Sequence, residues 1–259
     1  MLKKGIFLVS LFLLISCMAL VPSKGALAQV FCNGDFESGD LSDWYHAGDV
    51  AVTGSDNVIS DTYTAYITTS SSAVGEMCSF LFSEPAYPEY VPIAVDVSFL
   101  VRYKTNNIAS CWPYEDPFTA ELALWFTEIF EEPPRAMEIV TIKADGITPG
   151  PNATVCTVDE HVNTCFYPPV LPPLMTVENG YRYETPTLVV RQRIQHNSCN
   201  PVHIKFSICD WWDASEDSAA YLDDVVIDFL YPSAAGVNTP RKGDHHPPLA
   251  PLVPCERDE

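Results

Sequence analysis

Positive charge is scarce in this chain: Lys+Arg 14 stand against Asp+Glu 34, a formal net charge of −20 over 259 residues. A surface of that sign repels phosphate, so nucleic acid and anionic membranes are excluded as partners, because both need clustered Lys and Arg. Beyond the N-terminal segment no apolar run reaches the ~20 residues that a membrane helix requires, so no integral span is expected. Also missing are G-x-S-x-G, H-E-x-x-H and a glycine-rich phosphate loop. His46, His161, His196 and His203 have no nucleophile beside them in the sequence, and His245-His246 lie in a Pro-rich stretch. The expectation is a protein that is not an enzyme. Segments of helical period with caps are absent too, which leaves strands.

What is present is apolar mass. Hydrophobic residues make up 47% and aromatics 12%, too much for a disordered chain whatever its charge. Residues 1–28 read as a secretory signal: Lys3 and Lys4 precede an apolar stretch from Ile6 to Val21, and Ala26-Leu27-Ala28 offers a small-residue cleavage site. Leu14-Ile15-Ser16-Cys17 also resembles a bacterial lipobox, which would leave a lipid anchor at Cys17. The apolar run continues past Cys17 to Val21, so cleavage after Ala28 is the expectation, with the chain secreted or held at the cell envelope.

Nine cysteines include Cys17 of the signal, leaving an even eight: Cys32, Cys78, Cys111, Cys156, Cys165, Cys199, Cys209 and Cys255. An exported chain oxidises such thiols, although eight cysteines allow on the order of a hundred connectivities. Proximity favours Cys156/Cys165 and Cys199/Cys209; Cys78/Cys111 and Cys32/Cys255 follow, the last stapling the two chain ends together. Zinc through His161, His196 and His203 is the weaker reading, since neither close cysteine pair has the short interval of a zinc knuckle.

Val95, Val97, Phe99, Val101 and Tyr103 alternate with Asp96, Ser98, Leu100, Arg102 and Lys104, the period-2 signature of a half-buried strand. Runs at 63–69, 77–83, 119–127, 138–144, 187–195, 202–209 and 221–230 share this β-branched and aromatic character. The expected fold is all-β, two packed antiparallel sheets with long Pro-rich loops, spanning 29–231. Residues 145–186, holding Pro149, Pro151, Pro168 and Pro169, read as an insertion loop, and 232–259 as a Pro/His-rich tail tied down only if Cys255 is paired.

The domain opens with Asn33-Gly34-Asp35-Phe36-Glu37-Ser38-Gly39-Asp40-Leu41-Ser42-Asp43-Trp44 and closes with Tyr221-Leu222-Asp223-Asp224-Val225-Val226-Ile227. Together these resemble the first and last strands of the galactose-binding-domain-like jelly rolls, the group that holds many carbohydrate-binding modules. That resemblance implies a jelly-roll β-sandwich with the last strand beside the first. It also implies a structural calcium held by Glu37 and Asp223. Asp35 joins them on chemistry, because Ca²⁺ takes six to eight oxygens and these acids would meet where the termini meet.

Sugar recognition needs aromatic faces together with polar groups that satisfy hydroxyls. Trp112 and Tyr114, in a Cys-Trp-Pro-Tyr run, and Trp211-Trp212, between Asp210 and Asp213, are the candidates. The functional expectation is a non-catalytic carbohydrate-binding sandwich whose partner is a polysaccharide or other glycan. The alternative is a structural or adhesive surface protein that contacts protein or matrix.

Overall fold

The computed structural model describes residues 33–54, 58–69, 77–106, 116–123, 136–158, 165–166, 176–178, 181–210, 218–232 and 252–255. The proposed signal at 1–28, Cys17, Cys32, Cys111, His161 and most of the expected tail therefore lie outside the described residues. Among those described there is no helix, and none long and apolar enough to cross a membrane.

The strands in chain order are β1 (Trp44–Ala47), β2 (Asp49–Thr53), β3 (Thr64–Thr68), β4 (Met77–Ser83), β5 (Ala94–Thr105), β6 (Phe118–Ala123), β7 (Ala136–Lys143) and β8 (Gly146–Pro149). They continue with β9 (Ala153–Thr157), β10 (Cys165–Phe166), β11 (Thr176–Glu178), β12 (Tyr181–Glu184), β13 (Leu188–Gln195), β14 (His203–Asp210) and β15 (Ser218–Leu230). Two antiparallel sheets result. A six-stranded sheet runs β1-β4-β14-β6-β7-β8, and a nine-stranded one runs β10-β9-β13-β5-β15-β3-β2, with the β11–β12 hairpin joined to the end of β5. This is the expected all-β jelly-roll sandwich.

Alternation drives the layering. On β5 the odd residues Val95 to Tyr103 are at most 1% exposed and face the core, while Asp96, Ser98 and Leu100 face outward. On β14 Ile204, Phe206 and Ile208 point inward and are fully buried. Phe206 is the hub: its ring lies 5.0 Å edge-on to Phe99 of the opposite sheet, 6.1 Å from Phe118 and 6.1 Å from Trp44, which itself stacks on Phe36 at 5.3 Å. The chain crosses from one sheet to the other between β1 and β2 at Gly48, whose φ is 80°. A Cβ there would sit 2.5 Å from Ser79 Oγ, so glycine alone makes the corner.

Three expectations are corrected. The 145–186 stretch is no mere insertion: β9 pairs with β13 along five residues and extends the nine-stranded sheet, while Pro149 sits on edge strand β8, where its missing N–H costs nothing. The first strand is not beside the last, because β1 pairs with β4 in one sheet while β15 lies between β5 and β3 in the other. Cysteine pairing follows the sheets and not sequence proximity. Cys78 pairs with Cys209, directly opposite it on β4 and β14, and Cys199 pairs with Cys255, so the 199/209, 78/111 and 32/255 pairs do not form. Cys156 is also disulfide-bonded and faces Cys165 in the β9–β10 register. The end of the chain returns as a strap: Val91 N donates to Val253 O and Cys255 N to Glu89 O, so residues 252–255 are no loose tail.

The Cys78–Cys209 link spans 131 residues of sequence. Replacing both cysteines by alanine is expected to cost about 2–5 kcal/mol in urea unfolding. Non-reducing peptide mapping should return 78–209 and 199–255 peptides, and a 199–209 peptide would contradict this pairing.

Candidate functional site

The outer face of the six-stranded sheet is where the strands' outward residues collect. Because β1, β4, β14 and β6 are in register, Tyr45 stands opposite Phe82, Phe82 opposite Lys205, Lys205 opposite Glu121, and Glu121 opposite Glu138. The neighbouring row runs Ala47, Phe80, Ser207, Thr119, Thr141 and Thr148. Cys78 and Cys209 begin a third. The face is therefore aromatic toward β1 and β4 and hydroxyl-bearing toward β14, β6, β7 and β8, across six strands spaced ~4.8 Å apart.

Tyr45 is 42% exposed, and Phe80 and Phe82 are half-buried with their rings 5.8 Å apart. Lys205 Nζ lies 4.9 Å from the Phe80 ring centre and 5.9 Å from that of Phe82, and makes a 3.3 Å ion pair with Glu121 Oε2. Thr141 Oγ1 donates to Glu138 Oε1 at 2.9 Å. No pattern rule named these residues as a site, because each reads as ordinary strand alternation. The available signal was the outward register of MCSFLFS, with Phe80 and Phe82 on the side away from Leu81.

The expected sugar-contacting residues Trp112, Tyr114, Trp211 and Trp212 lie outside the described residues. The strand ends that flank them do meet. Ser218 Oγ, at the start of β15, donates to Asp116 Oδ2 at 3.0 Å and lies 2.6 Å from Thr105 Oγ1 at the end of β5. Tyr103 Oη donates to Asp116 O, so a buried polar knot closes this end of the sandwich.

The acids of the two chain-end motifs are brought together by the opening loop and not by strand pairing: Val225 N donates to Gly34 O at 2.9 Å. Asp223 is fully buried. Its Oδ2 accepts from Ser60 N, Ser60 Oγ and Thr64 Oγ1 at 3.0–3.1 Å, and its Oδ1 from Asp224 N at 2.9 Å. Glu37 Oε1 accepts from Thr62 N and Tyr63 N, both at 2.8 Å, and these bonds hold its pKa below the ordinary value. Asp35 is exposed and its Oδ1 accepts from Glu37 N at 3.3 Å. Asp224 is raised by burial and by the negative charges of Asp61, Asp35 and Glu37. Positive φ at Phe36, Asp61 and Asp224 marks a backbone held in place by these bonds. Among the described residues, no three His, Cys, Asp or Glu side chains are gathered as a metal ion would require. Both oxygens of Asp223 are already committed to protein donors.

No protein-family profile matches the chain, and comparison with curated proteins finds no match. Solved structures similar to it include TmCBM61 in complex with β-1,4-galactotriose, at 12% identity and a TM-score of 0.39, over 79% of this chain and 98% of that one. Another holds the CBM22-1 and GH10 modules of the Clostridium thermocellum xylanase 10B with xylohexaose, at 16% identity and a TM-score of 0.35, over 73% of this chain and 27% of that one. A third is the K3 adhesin domain of Lys-gingipain from Porphyromonas gingivalis, at 13% identity and 0.39, over 75% of this chain and 95% of that one. At these values the functional argument rests on the residues of this chain.

Burial pushes Asp223 up to about 6. The folded state thus favours its protonated form, and this stabilising contribution is complete below 3.8 and lost as pH rises through about 6. His196 and His203, lowered by burial, act in the opposite sense: their contribution is present above 6.5 and lost as pH falls. Comparing the native chain with Asp223→Asn isolates the carboxylate. The native chain's melting temperature should fall relative to the variant's between pH 4 and 7, and a flat difference contradicts the assignment. Asp223→Ala, which strands four donors, is expected to cost about 3 kcal/mol.

Proposed function

We propose that this chain is an exported, non-catalytic β-sandwich that binds glycan on the outer face of its six-stranded sheet. The observation that carries this reading is the strip in which Tyr45, Phe80 and Phe82 adjoin Lys205, Glu121, Thr119 and Thr141. Apolar faces for sugar C–H groups lie beside donors and acceptors for hydroxyls, on rigid strands and not on loops. The disulfides suit an oxidising compartment, which is the support for export and for removal of residues 1–28. A glycan-array screen followed by calorimetry tests the reading. Tyr45→Ala and Phe82→Ala should each weaken binding about tenfold, ~1.4 kcal/mol, with Tyr45→Ala leaving the melting temperature unchanged. Silence across plant, bacterial and animal polysaccharides overturns it.

Calcium is part of the proposal at the junction of the chain ends. The expected ligands are Asp35, Glu37 and Asp223; Asp223 already serves as an internal acceptor and no three such side chains are gathered among the described residues, so binding would require these acids to move toward one another. Asp224 is raised first by burial and then by the negative charges of Asp61, Asp35 and Glu37, and a divalent ion at this junction would relieve the second of these. Calcium should raise the melting temperature relative to chelator at pH 7, and identical curves discard it.

A second reading, a surface protein that contacts protein partners, is favoured by one feature. Of six exposed large hydrophobic residues among those described, Tyr87, Ile93, Leu252 and Val253 lie along the strap formed by 85–93 and 252–255. Concentration-dependent association that is lost in Val253→Ser, together with silence on glycans, would establish this reading in place of the first.

A further inference from the structure

Resting on the glycan-binding reading, the charge order along the strip assigns a class to its ligand. We infer that the site selects uncharged polysaccharides over acidic ones, and that Glu121 is the residue that sets this preference.

The row that begins with Tyr45 and Phe82 continues through one cation, Lys205, to two adjacent carboxylates, Glu121 and Glu138, which stand opposite each other on β6 and β7. An acidic sugar carries a carboxylate or sulfate that needs an uncompensated cation. Lys205 is compensated: its Nζ is 3.3 Å from Glu121 Oε2 and lies over the Phe80 ring, with the two paired side chains 20% and 27% exposed. Lys143, the next cation along this face on β7, is engaged as well. A uronate laid along the row would meet Glu121 and Glu138, with Lys205 and Lys143 both engaged among the described residues, on a chain whose formal net charge is −20. Neutral sugars carry no such penalty. Their hydroxyls donate to Glu121 and Glu138 and bond with Thr119 and Thr141, while Phe80, Phe82 and Tyr45 supply the apolar contact. Glu121 therefore does two things: it neutralises Lys205 and adds a fixed negative charge.

The test is titration calorimetry with matched polymers that share a backbone: methyl-esterified polygalacturonan against its de-esterified form, hydroxyethyl cellulose against carboxymethyl cellulose, and neutral xylan against glucuronoxylan. The expected result is that a neutral member binds while its acidic counterpart binds at least tenfold more weakly at 10 mM salt. That gap should narrow at 500 mM, because repulsion is screened. Glu121→Gln, which removes one carboxylate and frees Lys205, should raise affinity for the acidic member about tenfold relative to its neutral counterpart at low salt, whatever the variant costs the neutral member, and an unchanged acidic-to-neutral ratio would overturn the assignment to Glu121. The salt series on the native chain needs no variant and stands if Glu121→Gln misfolds. Acidic polymers bound as tightly as neutral ones at low salt would overturn this inference and leave the glycan-binding reading intact. Silence on every polymer, matched by the array, would remove both.

Discussion

The burial of Phe206 is the constraint on which the rest of the molecule depends. Its ring touches Phe99 across the sandwich and Phe118 and Trp44 within its own sheet, and Trp44 carries Phe36 of the opening loop. A strand has period 2, so placing Phe206 inward places Lys205 and Ser207 outward, and register pairing then fixes Phe80, Phe82, Glu121 and Thr119 beside them. A slip of one residue would exchange the core for the outward strip. The disulfide between Cys78 and Cys209, at one end of the β4–β14 pair, opposes that slip.

A second fixed point lies where the chain ends meet. Asp223 occupies an irregular position in β15, where the pairing with β5 skips from Asp223 to Val226, and it spends both carboxylate oxygens on residues 60, 64 and 224. Glu37 spends one oxygen on Thr62 and Tyr63. The two acids thus hold the segment 60–64 between the opening loop and the closing strand. Their chemistry is that of acceptors for backbone and hydroxyl donors, which is why the opening and closing motifs act together although β1 and β15 belong to different sheets.

Much of this architecture was legible. All eight strand-like runs contain strands, because each combines β-branched or aromatic residues with a buried alternate face. β1, β2 and β8 were not legible: they are four or five residues long, lie at sheet edges and show mixed exposure, so they lack the alternation that reveals a strand. β9 was hidden by Pro149 at the end of β8 and Pro151 on the turn before it. Disulfide pairing was misread because proximity in sequence says nothing about cross-strand neighbours 131 residues apart. The strip was overlooked for a related reason: tryptophans in loops announce themselves, while Phe80, Phe82 and Tyr45 become a surface only once four strands are set in register.

Fold and function meet in that register. The core residues of β4, β14 and β6 stabilise the sandwich, and the residues between them form a chemically graded surface on the same strands. Loops need not carry recognition on such a scaffold. The most direct test is an amide and aromatic NMR titration of the chain with an oligosaccharide from whichever neutral polysaccharide it binds. The account predicts shift changes concentrated on Tyr45, Phe80, Phe82, Thr119, Lys205 and Ser207. Changes confined to the loop end around Thr105, Asp116 and Ser218, with the strip silent, would contradict it.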